Sequence, residues 1–144
     1  MTPTQQGLAE WHTLATAPDP DRLARLVAQD AVFHSPVVHT PQEGRALVVS
    51  YLSAAAATLG QGEFRYVREL VDAQNVMLEF TCVLDGIQVN GVDIIHFDEA
   101  GKIADFIFAV EACHLDVAGA PGQTGHAVRH LEKRFDDLIE YQFE

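Results

Sequence analysis

Positive charge is scarce in this chain. Lys and Arg number 9 against 21 Asp and Glu over 144 residues, a formal charge of −12. Nucleic-acid surfaces draw their affinity from Lys and Arg at phosphates, so no nucleic-acid partner is expected. The acidic excess serves solubility. Cysteine is nearly absent as well. Cys82 and Cys113 are too few for a disulfide scaffold, and Cys82 sits in an apolar alternating run that predicts a buried free thiol in a reducing cytoplasm. No apolar run approaches the roughly 20 residues of a membrane span. Met1-Thr2-Pro3-Thr4-Gln5-Gln6 lacks the basic and apolar regions of a signal peptide. A cytoplasmic protein without a membrane partner is expected. Repeats, low-complexity segments and a glycine-rich phosphate loop are missing; Gly60-Gln61-Gly62 reads as a helix stop. The histidines at metal spacing, His126 with His130 and His34 with His39, lack a third clustered ligand, so neither metal nor cofactor is expected. A Ser-His-acid triad has no signature here either.

What is present is one domain's worth of alternating and helical pattern. A chain of this length buries about 68–70% of its unfolded surface and needs no staples. The helices come first. Leu8, Trp11, His12 and Ala15 recur at helical spacing and predict a helix over 5–16; Asp19-Pro20 caps a second over 20–29. Ala31-Val32-Phe33-His34-Ser35 is a short strand stopped by Pro36. Thr40-Pro41-Gln42-Glu43 reads as a capping box opening a third helix that runs to about Thr58. Then the period changes from helical to alternating. Strands are predicted over 64–70, 75–84 and the stretch from Val89 to about Glu111, which is broken by the turn Asp98-Glu99-Ala100-Gly101. Gly101 should take φ > 0 there. Strand alternation puts Asp93, Ile95 and Phe97 on one face, so one carboxylate shares a face with large apolar groups. Such an acid is either wet at a sheet end or inside a pocket.

Helices followed by an antiparallel meander predict an α+β domain. The expected fold has three N-terminal helices packed on one face of an antiparallel sheet, with an extra C-terminal helix. The domain should occupy 1–117. Residues 118–144 should form a linker and an amphipathic helix carrying Val128, Leu131, Phe135, Leu138 and Ile139. The face opposite Asp93 would carry Met77, Val83, Val92, Ile94, Ile103 and Ile107, too much apolar surface to leave wet, so either a second subunit or the C-terminal helix should cover it. A homodimer with that helix as an added clasp is expected.

Over roughly residues 5–112 the chain resembles the nuclear transport factor two-like superfamily, above all its SnoaL-like and ketosteroid-isomerase-like small proteins. The likeness rests on the helix order, on Phe33-His34-Ser35-Pro36-Val37, on Gly44 opening the third helix, and on the run from Asp93 to Ile103. It implies that the sheet is curved into a cone-shaped, cystatin-like roll around an apolar pocket, on which isomerases, polyketide cyclases, epoxide hydrolases, dehydratases and plain binding modules are all built. By the same resemblance Asp93 falls where the isomerases keep a protonated pocket acid. Ser35 stands where their general base, an Asp before Pro, would be. Trp11 stands where a tyrosine donor would be. A serine hydroxyl cannot replace a carboxylate base near neutral pH, so steroid isomerisation is not expected.

Asp93, Trp11 and Ser35 are therefore the candidate catalytic residues, and Phe33, Leu52, Leu78, Phe80, Phe106 and Phe108 the candidate lining of a ligand site. The expected function is binding of a small hydrophobic ligand, with polyketide cyclase-, isomerase- or dehydratase-like chemistry on a polyketide-like or cyclic enone substrate. The alternative is a non-catalytic dimerising module whose pocket is a filled core.

Overall fold

Thr2 fixes where the first helix begins. In the computed structural model, which describes residues 1–35, 40–60, 63–84 and 86–114, its hydroxyl accepts from Gln5 N–H at 3.1 Å. The Gln5 side chain accepts from Thr2 N–H at 2.8 Å, closing a capping box at the start of α1 (Pro3–Thr16). Asp19 caps α2 (Pro20–Leu26) through Oδ1, which accepts from the N–H groups of Asp21 and Arg22. This helix is shorter than its sequence pattern. β1 (Val27–His34) begins at once, because Val27, Ala28, Ala31 and Phe33 all find burial against the sheet and helices.

The capping box expected at Thr40–Glu43 does not form. Gln42 and Glu43 are instead a short strand, β2 (Gln42–Glu43), paired antiparallel with Phe33 and Val32. Gly44, at φ +102°, then swings the chain into α3 (Arg45–Leu59), and its N–H donates to Ala31 O at 2.8 Å. A local capping signal yields here to pairing with a neighbouring strand.

β3 (Arg65–Asp72), β4 (Asn75–Leu84), β5 (Ile87–Phe97) and β6 (Ile103–His114) form the antiparallel meander. The six strands make an open curved sheet in the order β2-β1-β6-β5-β4-β3. The sheet is mixed rather than wholly antiparallel, since β1 runs parallel to β6. No hairpin joins those two strands: α3 and the other three strands of the meander lie between them in sequence, so their relative direction is free. The inner face is the alternating set Val76, Leu78, Phe80, Cys82 and Leu84 on β4 with Asp93, Ile95 and Phe97 on β5, all buried. Leu8, Leu14, Leu23, Leu26, Val48 and Leu52 from the three helices join the same core. Cys82 is a buried free thiol.

Ile103 corrects the expected outer face. It is fully buried, because a register irregularity between His96 and Phe97 on β5 shifts the parity at the start of β6. The expected C-terminal helix and the division at 117/118 lie outside the described residues.

Candidate functional site

β5 carries Asp93 into the middle of the inner face, directly opposite Leu78 on β4 and Phe108 on β6. Asp93 is only 4% exposed. Tyr66, opposite Phe80 on β3, reaches it across the sheet: the phenol O–H donates to Asp93 Oδ2 at 2.6 Å. Trp11, on α1, donates its indole Nε1–H to Tyr66 Oη at 3.0 Å. Three side chains from a helix and two strands thus form one chain of donors ending on a buried carboxyl group.

Aromatic packing holds these groups in place. Trp11 tilts on Phe106 with centroids 5.2 Å apart, and Phe80 stacks on Phe108 at 5.9 Å with the rings nearly parallel. Phe64 meets Tyr66 edge-on, and the His12 ring meets it edge-on at 5.6 Å while His12 Nε2 lies 2.6 Å from Glu69 Oε1. Gly91 contributes by having no side chain. A Cβ there would run into the Phe80 ring and the Ala109 carbonyl.

Between this floor and the helices lies a cavity of about 580 Å³, within the range of small-molecule sites. Trp11 and Leu14 of α1, Leu23 of α2 and Leu52 of α3 border it from above; Phe33, Tyr66, Phe80, Asp93, Phe106 and Phe108 border it from the sheet. Burial pushes the Asp93 carboxyl up to about 7, against the opposing pull of the Tyr66 hydrogen bond. Burial also drives the Tyr66 phenol well above its ordinary value, helped by the Asp93 charge and hydrogen bond, so Tyr66 keeps its proton through the physiological range. An acid that is half-ionised near neutral pH can either donate a proton or take one.

The structure sorts the sequence candidates. Asp93, Trp11, Phe33, Leu52, Phe80, Phe106 and Phe108 meet at the cavity. Leu78 is fully buried in the core but does not border it, and Ser35, half-buried at the end of β1, does not border it either. Trp11 borders the cavity with its N–H already committed to Tyr66. Tyr66 is the residue that sequence reasoning missed. Its signal was the pair Phe64 and Tyr66 alternating at the entry to β3, next to a strand that is otherwise exposed. Among the described residues no group of three His, Cys, Asp or Glu side chains is placed to hold a metal ion.

Comparison with known proteins gives one family and many solved structures of similar fold. Residues 8–106 match the SnoaL-like domain family. A steroid delta-isomerase from Pseudomonas aeruginosa is similar in structure, with a TM-score of 0.76 and 28% identity over 99% of this chain and 93% of that one. A protein with a cystatin-like fold from Silicibacter pomeroyi gives 0.71 at 24% identity, covering 94% of this chain and 84% of its own. The epoxide hydrolase/cyclase-like enzyme SalBIII, of pyran ring formation in salinomycin, gives 0.61 at 17% identity over 74% of this chain and 89% of that one. The last two likenesses concern the fold. None of the curated proteins matches the chain.

Proposed function

The chain belongs to the SnoaL-like domain family, and from that footing we propose that its cavity binds a small hydrophobic ligand through Asp93, as a polyketide cyclase-, isomerase- or dehydratase-like protein. One observation carries the reading. The carboxyl group of a residue that is 4% exposed borders an aromatic cavity, with Tyr66 holding one of its oxygens. Tyr66 takes Oδ2, so an acid proton on Asp93 resides on Oδ1, from which it is donated to a carbonyl oxygen of a cyclic enone or polyketide-like ligand. Tyr66 and Trp11 act as positioning residues. Ser35 is given no part. Asp19, the other carboxylate among the described residues that border the cavity, is engaged in capping α2. The chemistry proposed is therefore assistance by one acid, without the second carboxylate base that steroid isomerisation uses. The Pseudomonas aeruginosa isomerase supports the reaction class, and the buried free thiol of Cys82 supports a reducing cytoplasm.

Trp11 is the sole tryptophan, so its fluorescence reports directly on the cavity. Titration with a bicyclic enone should give saturable quenching, weakened about tenfold in Asp93→Leu, which removes a hydrogen bond of roughly 1.5 kcal/mol. Unaltered binding by Asp93→Leu would show that Asp93 is not the handle.

The outer sheet face favours a second reading, a dimerising module. Leu70, Met77, Ile94 and Ile107 pair in register across β3, β4, β5 and β6, and Leu70, Met77 and Ile107 are 56%, 40% and 37% exposed. A second copy of the chain is the proposed cover. Dimerisation is compatible with the first reading, since the cavity lies on the opposite face; the filled core expected of a non-catalytic module is not, given a cavity of about 580 Å³.

A further inference from the structure

Among the described residues, the charged side chains at the cavity are of one sign: Asp19 and Asp93 border it, and no described Lys, Arg or His does. The whole chain carries −12, a field that repels anions and attracts cations. Asp93 has a phenol for a partner rather than a cation. A carboxylate buried without counter-charge is relieved either by a proton or by a cation from outside. The surroundings suit the cation. Trp11, Phe33, Phe64, Phe80, Phe106 and Phe108 all border the same space, and aromatic faces attract ammonium groups most strongly where water is excluded.

We propose that the cavity also takes hydrophobic amines, with the protonated nitrogen on Asp93 and the hydrocarbon body among the aromatic rings. This rests on the cavity being a ligand site and extends it beyond neutral carbonyl compounds. The hydrogen bonds point the same way. Tyr66 donates to Asp93 and Trp11 donates to Tyr66, an orientation that favours the ionised carboxylate over the acid. Above about pH 7 the carboxylate prevails, and an ammonium ion supplies the missing charge. Apart from the Tyr66 hydrogen bond, the described groups facing Asp93 are apolar or hold a fixed charge state. Leu78 and Phe108 flank it on the neighbouring strands, Trp11 and Leu52 reach the cavity from α1 and α3, and Tyr66 keeps its proton. Among the described residues the remaining titratable group bordering the cavity is Asp19, whose Oδ1 is held by the N–H groups of Asp21 and Arg22, and behind Tyr66, His12 of α1 is paired with Glu69 of β3.

Three probes of matched shape test this by calorimetry on the full chain: 1-adamantanemethylamine, 1-adamantanemethanol and adamantane-1-carboxylate. At pH 8.5 the amine should bind about tenfold tighter than the alcohol, and the carboxylate weakest of the three. The amine's affinity should fall more than about tenfold by pH 5.5 as Asp93 takes up its proton, while the alcohol's stays level. Asp93→Asn should bring the amine down to the alcohol's level. If that variant does not fold, the pH series on the unaltered chain carries the same test. Equal binding of amine and alcohol at pH 8.5, or tightest binding by the carboxylate, overturns the amine site and leaves the pocket standing. Binding of none of the three overturns both.

Discussion

Asp93 and Tyr66 form a polar contact sheltered on the inner face of the sheet, and its energetics make the stability of the fold respond to pH. The folded carboxyl titrates near 7 against an ordinary value of 3.8, so the native state holds the proton more tightly than the unfolded chain does. The stability Asp93 contributes is therefore complete below pH 3.8. It declines as pH rises through the window up to about 7, and is gone above it. At about 1.4 kcal/mol per pH unit the fall is on the order of 4 kcal/mol. Urea titrations between about pH 4 and pH 8 should show that slope in the unaltered chain and lose it in Asp93→Asn; parallel curves would mean an ordinary solvated acid. Tyr66→Phe removes the one hydrogen bond that pulls the carboxyl down, so the Asp93 carboxyl carbon should titrate above 7 by NMR. At this scale the sequence reading went as far as alternation allows. Asp93 was legible because it keeps step with Ile95 and Phe97. Tyr66 was not, since its role comes from strand pairing that brings residues 66 and 93 together. Nor could Trp11's spacing on α1 reveal that its N–H is already bonded.

α1 and the β5–β6 turn seat on each other through two glycines. Gly101 has φ +78°, as its turn demands, and a Cβ there would strike the Pro3 carbonyl; a Cβ on Gly7 would strike Gly101 O and the Phe97 ring. Asn tolerates positive φ, so the turn taken alone predicts a mild Gly101→Asn. The contact with Pro3 removes that tolerance. Gly101→Asn and Gly101→Val should each cost on the order of 2 kcal/mol or more in urea unfolding. An Asn variant as stable as the parent would show that α1 does not rest on the turn. α3 offers the converse case. Thr40 does not cap it, so Thr40→Ala should leave the melting temperature within about 1 °C, where loss of a true N-cap costs about 1 kcal/mol and several degrees. Helix and strand identity were readable from period alone. The start of α3 was not, because a four-residue capping pattern carries no trace of the strand that Gln42 and Glu43 pair with.

Taken whole, the molecule has one face committed to the core and one to solvent, and the second is not uniformly polar. The row Leu70, Met77, Ile94 and Ile107 crosses four strands, roughly 14 Å at the usual strand spacing. Beside it runs a polar row in which Asn75 pairs with His96 and His96 with Asp105, and on the other side Arg68 meets Glu79 at 3.4 Å. Alternation made Met77, Ile94 and Ile107 legible in advance, but not Leu70, which only strand pairing adds to the row, and it misplaced Ile103, where the irregularity after His96 reverses the parity. A two-fold axis through the row would set each apolar side chain against its own copy, the self-complementary geometry that closed dimers require. The row alone is smaller than the roughly 800 Å² per partner of a standard interface, so the polar rows must join the contact. The full chain should therefore run as a dimer in size exclusion with light scattering at micromolar concentration. Met77→Lys with Ile107→Lys should give a monomer whose Trp11 emission is unchanged, because Trp11 borders the cavity on the opposite face of the sheet. A parent chain that is monomeric throughout the micromolar range would leave the row uncovered by a second copy. A double variant that stays dimeric would move the interface elsewhere, the long exposed edge strand β3 being the next surface able to pair.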